Sequence, residues 1–337
     1  MMHAPLLRRW ITLCAALVVL MVLIGGLTRL TESGLSIVEW KLFSGILPPI
    51  SAQGWETEFA RYRTSPEFKQ VNRDFSVQDF QRIFWLEYIH RLLGRIIGLV
   101  LIVPFLYFAI RRRMPGWLMR RMVGACVLVA LQGTVGWIMV ASGLHHEPRV
   151  DAMKLALHFS LALALLALLL WTRWQLGDLR RPPIPRHLAI AARLLLALAI
   201  VQIIFGALVA GLDAGLSYNS FPWMDGRLIP PGLHTMQPWW LNHVENVRTV
   251  QFQHRVLAYC LVLACAGWAA MAWPFSLPPQ KRILLALLVV LALQFGLGVG
   301  TLLLHVPIAL ASAHQLGAVL LLGVLLRAAW LYPLRAA

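Results

Sequence analysis

Long apolar runs separated by shorter polar segments dominate this chain from one end to the other. Eight runs are long enough to cross a bilayer, at about residues 10–28, 87–110, 119–141, 150–172, 189–211, 249–272, 283–304 and 307–330. Because about 20 helical residues span the hydrocarbon core, the pattern predicts eight transmembrane helices. No small-residue cleavage site follows the first run, so it is predicted to be retained as the first helix.

The distribution of charge predicts how the eight helices are oriented in the membrane. The chain of 337 residues is 59% hydrophobic and 13% charged, and its formal net charge is +16. In a soluble protein that charge would suggest nucleic acid as a partner. Here the basic residues concentrate in alternate connecting segments, at Arg8, Arg9, Arg111, Arg112, Arg113, Arg120, Arg121, Arg173, Arg180, Arg181, Arg186, Lys281, Arg282 and Arg335. Lys and Arg mark cytoplasmic loops, so we expect a lipid environment, no nucleic acid and both termini in the cytoplasm.

The two halves of the chain repeat the same order of motifs. The matching pairs are GGLTRLTESGLS (25–36) and FGALVAGLDAGLS (205–217), ILPP (46–49) and LIPP (228–231), EYIHR (87–91) and QFQHR (251–255), and QGTVG (132–136) and QFGLG (294–298). Four helices per half make such repeats parallel. We therefore predict an all-α integral membrane protein of two four-helix bundles, residues 1–175 and 189–337, joined by a cytoplasmic linker at 176–188.

Four histidines occupy matching positions in this predicted repeat. They are His90, His158, His254 and His314, each within about two turns of the outer end of an even-numbered helix. Two imidazoles on neighbouring helices can hold one haem iron from both sides. A small residue follows each histidine by four positions, at Gly94, Ala162, Ala258 and Ala318, and leaves room for a flat macrocycle on that helix face. The alternative is that each histidine is a packed residue hydrogen-bonded across helices.

The remaining histidines do not follow the repeat. His145, His146, His234 and His243 fall in predicted outer loops and His3 and His187 on the cytoplasmic side, so we expect them to be solvated. His305 is ambiguous. The cysteines Cys14, Cys126, Cys260 and Cys265 all lie in apolar runs, where we expect small buried side chains without a disulfide or a metal-binding pair.

The charged neighbours of these histidines differ between the halves. Arg91 follows His90 and Arg255 follows His254, and both could pair with haem propionates. Glu87 shares a helix face with His90, whereas its counterpart Gln251 carries no charge. An acid beside one site suits proton handling during oxidation, and an amide suits a passive cofactor. The alternative is a plain ion pair between Glu87 and Arg91. Arg29, Glu32 and Asp213 are left open between propionate contacts and helix capping.

The motifs GGLTRLTESGLS, ILPP, EYIHRLLGRIIGLV, GALVAGLDAGLSYNSFP, FQHRVLAY and HVPIALASAHQ resemble the haem A synthase family of proteobacteria and mitochondria, over nearly the whole chain. The resemblance implies oxidation of the C8 methyl group of haem O to a formyl group, giving haem A for cytochrome c oxidase. It implies a haem b cofactor on His254 and His314, a substrate site with His90 and His158, and a required Glu87. The first outer loop has no cysteine, so the thiol pair of other branches does not carry over.

The resemblance also implies a setting for the protein. We expect a multi-pass protein of the bacterial inner membrane with both haem sites towards the periplasm. Expected partners are haem O, haem O synthase and assembly factors of cytochrome c oxidase. Small residues on the helix faces would pack helices of one chain or of several, so a homo-oligomer stays open.

Two other functions fit part of the pattern. A di-haem membrane cytochrome that only transfers electrons would use four bundle histidines equally well, although the contrast between Glu87 and Gln251 favours chemistry in one half. A transporter built from parallel repeats would need charged residues near the midplane and broken helices. Here the ionisable residues gather at the outer ends, and only Pro104 interrupts a span.

Overall fold

The structure is a computed structural model that describes residues 4–40, 44–144, 147–177 and 184–334. In this part of the chain it contains ten α-helices, and the fold is built from them. They are α1 (Ala4–Leu30), α2 (Ala52–Tyr62), α3 (Pro66–Gln70), α4 (Val77–Ile110), α5 (Gly116–Gly143), α6 (Ala152–Gln175), α7 (Arg186–Gly211), α8 (Val247–Ala272), α9 (Pro278–Leu303) and α10 (Ile308–Leu331). Eight are long and apolar enough to cross a membrane, which confirms the eight predicted spans.

The middle of these long helices carries exposed apolar side chains. Leu99, Leu194, Leu263 and Leu293 are each more than 60% exposed. Such surfaces would be costly in water, because soluble monomers rarely expose large contiguous apolar patches. The exposed leucines therefore agree with helices that face lipid. The repeat organisation, the cytoplasmic termini and the predicted boundaries of the halves stay predictions, and most of the linker falls outside the described residues.

Helix α4 begins ten residues before the predicted span. Its N-terminus is a capping box in which the Asp79 amide donates to Ser76 Oγ, and the Ser76 amide donates to the Asp79 carboxylate. His90 consequently lies 13 residues after Val77, in the fourth turn of α4, and not in the first two turns as predicted. The prediction was wrong because the first turns of α4 are too polar to extend the apolar run.

A cluster of aromatic side chains explains why α4 extends so far. Phe80, Phe84 and Tyr88 on α4 pack against Phe59 and Tyr62 on α2, and all five are buried. Tyr62 stacks on Phe80 with ring centroids 5.1 Å apart. Aromatic pairs of this kind contribute about 0.5–1.5 kcal/mol each beyond their buried area. The loop between α1 and α4, called the first long loop below, therefore has its own small core, which the apolar-run pattern did not predict.

The chain divides into two compact units, Met1–Leu166 and Ala167–Ala337. In the first unit α1 packs along α4, and the Trp10 indole N–H donates to the Val100 carbonyl at 2.7 Å. In the second, α7 packs on α8 and α10 on α9, around a core that includes Leu195, Leu261 and Leu325. Each unit thus supplies a rigid set of long helices on which site residues can be held.

The four cysteines are free. Cys14 and Cys265 are buried, as expected, and Cys126 is half-buried. Cys260 is exposed on α8, so the prediction of a buried side chain was wrong at that position. Its sequence neighbours Val256 and Leu263 are exposed too, because this face of α8 points away from the unit's core.

Candidate functional site

The predicted histidine ligands come together in two pairs, one in each compact unit. His90 on α4 and His158 on α6 are close enough to interact electrostatically, and so are His254 on α8 and His314 on α10. No group of three or more His, Cys, Asp or Glu residues is placed to hold a bare metal ion in the described chain. Two imidazoles per unit, one from each of two helices, suit a metal whose other ligands come from a macrocycle.

Each of the four histidine rings lies against a glycine of the preceding long helix. A methyl group added at Gly25 on α1 would lie 2.9 Å from His90 Cε1, and one at Gly206 on α7 would lie 3.1 Å from His254 Cε1. Gly136 on α5 and Gly298 on α9 stand in the same relation to His158 and His314, both at 2.9 Å. No side chain fits there without displacing the ring, so the glycines fix how closely the imidazoles approach the neighbouring helix.

Glutamine side chains contact three of the four histidines. Gln132 Nε2 lies 3.2 Å from His158 Nε2, and Gln202 Nε2 lies 3.2 Å from His254 Nδ1 and 3.5 Å from its Nε2. Gln294 Nε2 instead donates to the main-chain carbonyl of His314 at 3.0 Å. The sequence shows QGTVG and QFGLG as repeated motifs, but it gave no role to their glutamines or glycines.

These surroundings fit a haem bound between two imidazoles. The Nδ1 atoms of His90, His158 and His314 are buried without a hydrogen-bond partner in the described part of the chain. Fully packed structural histidines would normally satisfy both ring nitrogens. Each ring has a glycine of the preceding long helix on one side, where no side chain intervenes, and the small residues Gly94, Ala162, Ala258 and Ala318 follow the histidines by four positions. Hydrogen bonding between packed helices therefore does not fully account for these histidines, and their surroundings are compatible with a flat ligand bound by the rings.

Glu87 is buried, at 2% exposure, and its carboxylate has three donors. One oxygen accepts from Ser36 Oγ at 2.7 Å and from the Ile37 amide at 2.8 Å, and the other pairs with Arg91 at 2.5 Å. The ion pair that the sequence left as an alternative is therefore present. Glu87 also ties the first long loop to α4, one helical turn from His90.

Arg91 and Arg255 hold equivalent points of the two long loops. Arg91 donates to the Ile37 carbonyl at 2.9 Å, and Arg255 donates to the Tyr218 carbonyl at 2.6 Å. Ile37 and Tyr218 each follow the GLS tripeptide of their half. Because both guanidiniums already have main-chain acceptors, a propionate contact would add to their present bonds, and that assignment stays a prediction.

Gln251 takes the place of Glu87 in the second unit without its charge. Its Nε2 donates to the Tyr218 carbonyl at 3.0 Å, and its Oε1 is buried without a partner in the described residues. At this position the loop between α7 and α8, the second long loop, is thus held by a neutral amide beside Arg255, with no acid taking part. The two units attach corresponding loop residues with an acid in one case and an amide in the other.

A second buried carboxyl, Glu67 on α3, was missed by the sequence analysis. It is 4% exposed and accepts a hydrogen bond from the Tyr62 hydroxyl at 2.9 Å. Burial raises the pKa of Glu67 to about 7, and the charges of Glu87 and Glu32 act in the same direction against the Tyr62 hydrogen bond. Nothing in its sequence context, SPEFK, distinguishes it from a solvated loop acid.

The remaining acids and histidines of the sequence analysis that the structure describes lie outside the two histidine pairs. Glu32 and Asp213 occupy matching left-handed turns, with φ of 53° and 52°, at the ends of α1 and α7. His305 sits in the turn between α9 and α10, and it is exposed together with His187 and His234. His243 is half-buried and contacts Gln253, so the expectation of a solvated ring was wrong there. His3, His145 and His146 fall outside the described residues.

The geometry defines a class of protein: a polytopic membrane protein with a pair of buried or half-buried histidines in each of two helical units. Residues 8–326 match the model of a protein family described as cytochrome oxidase assembly protein. The chain belongs to this family, COX15-CtaA.

Curated relatives from several bacteria align with nearly the full chain. A protein of Nitrosomonas eutropha is 44% identical over 95% of this chain and 91% of its own length. A Bradyrhizobium protein (strain BTAi1) is 47% identical over 98% and 92%, and one of Rhodopseudomonas palustris (strain BisA53) is 48% identical over 94% and 88%. Each of the three is named heme A synthase.

Proposed function

We propose that this protein oxidises the methyl group at C8 of haem O to a formyl group and so makes haem A for cytochrome c oxidase. The observation that carries the proposal is the buried Glu87 carboxylate, one turn from His90, where the second unit has the neutral Gln251. The relatives named heme A synthase, which align over nearly the whole chain, support the same reaction.

The substrate site is assigned to the first unit, with His90 and His158 as ligands of the iron of haem O. Loss of water from the geminal diol that two hydroxylations would leave moves one proton: a base takes it from one hydroxyl and returns it to the hydroxyl that departs as water. Glu87 is the residue suited to relay that proton, because general acid–base catalysis works through a positioned carboxylate or imidazole. Its bonds to Ser36, Ile37 and Arg91 hold that carboxylate in one orientation.

The cofactor site is assigned to the second unit, with haem b between His254 and His314. Haem b held there supplies one-electron transfer. The protein's own contribution is to orient the two imidazoles against Gly206 and Gly298. Gln251 and Arg255 keep the second long loop fixed beside them without adding a negative charge.

The cellular setting follows from the same assignment. The protein is a multi-pass component of the bacterial inner membrane, with both termini in the cytoplasm and both haem sites towards the periplasm. Its helices form two repeated bundles, residues 1–175 and 189–337. Haem O synthase supplies its substrate, and assembly factors of cytochrome c oxidase receive its product.

One experiment tests the reaction directly. The protein is expressed with a haem O synthase, and the non-covalent pigments are extracted and identified by mass. The proposal predicts haem A with its formyl group in the wild type. Only haem B and unaltered haem O would overturn it and would favour a di-haem cytochrome that transfers electrons, because the four histidines suit that function equally well.

A further inference from the structure

Three of the four glycines that touch a histidine ring are preceded, four residues earlier, by a glutamine. These pairs are Gln132 with Gly136, Gln202 with Gly206, and Gln294 with Gly298. Residues four apart share one helix face, so glutamine and glycine both point towards the histidine of the next long helix. The fourth glycine, Gly25, has Met21 in the corresponding place.

The contact between Gln202 and His254 differs from the others because it reaches Nδ1 of the ring. The side-chain amide of Gln202 lies 3.2 Å from Nδ1 of His254 and 3.5 Å from its Nε2, so Nδ1 is the nearer ring nitrogen, whereas Gln132 approaches Nε2 of His158. Gln294 reaches a main-chain carbonyl and not a ring. Among the described residues, only His254 therefore has a partner for Nδ1 in this set of four.

A histidine that binds a metal through Nε2 carries its proton on Nδ1 and usually donates it to a neighbouring acceptor. The end of the Gln202 amide that faces Nδ1 must then be the oxygen. The oxygen and nitrogen of a glutamine amide are interchangeable at the level of heavy-atom positions. Gln202 Oε1 is at present buried without a partner in the described chain, so turning the amide gives up no bond to that oxygen.

Met21 cannot provide the same contact for His90. A thioether is a weak acceptor, and His90 Nδ1 is one of the buried ring atoms without a partner in the described residues. Met21 instead packs near α4, where a methyl group at Gly94 would lie 3.5 Å from its Cε. Four residues before the glycine that touches the ring, the first unit thus has the apolar Met21 for His90 where the second has the polar Gln202 for His254.

We propose that Gln202 is a positioning residue that holds Nδ1–H of His254 and so keeps the second unit's haem resident, while Met21 leaves His90 free to exchange its haem. This role rests on the proposed function. It would explain why the second unit retains its haem while the first unit releases its haem. A hydrogen bond to Nδ1–H also raises the basicity of the axial imidazole. A more basic ligand stabilises the ferric state and lowers the reduction potential.

The test uses the purified full-length holoprotein and two substitutions of opposite expected effect. Gln202→Met removes the acceptor, so we expect a raised midpoint potential of the haem b and haem loss to apomyoglobin faster by roughly 10–100-fold. Gln202→Glu strengthens the acceptor and is expected to lower the potential. Shifts of the same sign in both variants, or an unchanged potential in Gln202→Glu, would overturn the proposal. If Gln202→Met retains no haem, the Gln202→Glu result decides alone.

Two further variants complete the design. Gln132→Met, a matched change in the first unit, is expected to leave the potential of the haem b unchanged. Met21→Gln should increase the haem O that copurifies with the protein, and an unaltered content would contradict the role given to Met21. A wild-type protein without haem b would count against the proposed function instead, before any variant is compared.

Discussion

The buried polar groups beside the two long loops differ in kind between the units. In the first unit they include the carboxyls of Glu67 and Glu87, and in the second they are the amides of Asn242, Asn246 and Gln251. Asn246 caps α8 by accepting from the amides of Arg248 and Thr249. Amides can satisfy a buried backbone without ever changing charge, whereas carboxyls can also take up protons. One unit is therefore equipped for proton chemistry and the other for holding its structure.

The contrast between buried acids and buried amides is informative because the two long loops are otherwise attached in similar ways. Each loop begins with a left-handed residue, Glu32 or Asp213, and each is held through a main-chain carbonyl by the arginine next to a histidine. A change of fold therefore does not explain the contrast between Glu87 and Gln251. On the proposed assignment, the exchange of Glu87 for Gln251 on this common framework is the difference that separates the reactive site from the passive one.

The largest expected effect comes from the ligands themselves. His254→Ala should abolish nearly all haem b binding, because it removes one of two axial ligands, and a pyridine haemochrome assay of the purified protein measures this. His90→Ala is the matched control and should keep the haem b while losing product. Equal haem b contents in the two variants would remove the distinction between cofactor and substrate sites.

The next largest effect is expected from exchanging the acid Glu87 and the amide Gln251, which tests whether the carboxylate makes the first unit reactive. Glu87→Gln should lower haem A formation by about 100-fold or more, the usual contribution of a general acid or base. Its content of haem b should stay near wild type, and Gln251→Glu should change product formation little. Haem A is quantified by mass after extraction.

Ser36→Ala separates the chemical role of Glu87 from its role as a loop anchor. It removes one hydrogen bond to the carboxylate, worth about 1 kcal/mol, and leaves the charge in place. If Ser36→Ala reduced product as strongly as Glu87→Gln, the carboxylate would matter mainly for attaching the loop.

The glycines beside the rings give a smaller, symmetric pair of changes. Gly206→Ala puts a methyl group 3.1 Å from His254 Cε1 and should weaken haem b retention by roughly 10-fold, as perturbed ligand orientation does. Gly25→Ala puts one 2.9 Å from His90 and should affect only product formation. Haem loss rates and haem A yields, measured on both variants, distinguish the two sites. Identical behaviour of both variants would argue for a general packing defect.

The effect furthest from the reaction concerns the pH dependence of stability. Burial raises the pKa of Glu67 from 4.5 to about 7, so the folded state binds a proton that the unfolded chain has released between these values. The stability contribution is present below pH 4.5 and is lost as pH rises through 7. It amounts to on the order of 3 kcal/mol.

Thermal unfolding in detergent should show this dependence as a Tm lower by roughly 5 °C at pH 8 than at pH 5. Glu67→Gln should flatten that slope, with Glu58→Gln as a control at a partly exposed loop acid. A slope that persists in Glu67→Gln would mean that another group titrates.

Much of the fold could be predicted from the sequence, because the length of an apolar run is enough to predict a membrane-spanning helix. The predicted span 189–211 and the observed α7, Arg186–Gly211, differ only at the start. The first turns of α4 escaped prediction because their stability comes from aromatic packing on α2, a contact between distant parts of the chain.

The site, like the fold, has parts that the sequence predicted and parts that it did not. The spacing of His90, His158, His254 and His314 predicted the two histidine pairs, and the structure places one pair in each unit. Their role as haem ligands stays a prediction. The burial of Glu67 and the contacts of Gly25 and Gln202 depend on which helices are neighbours. Periodicity along one helix carries no information on that point.

The length of α4 has a consequence for where the chemistry happens. His90 lies 20 residues from Ile110, the far end of the helix, or about 30 Å at 1.5 Å per residue. That distance equals the thickness of the hydrocarbon core. In the proposed orientation, with Ile110 at the cytoplasmic boundary, His90 would therefore come at the opposite boundary between acyl chains and headgroups, and Glu87 one turn further out. A proton relayed by its carboxylate would then reach bulk water on that side without crossing the dielectric barrier of the membrane.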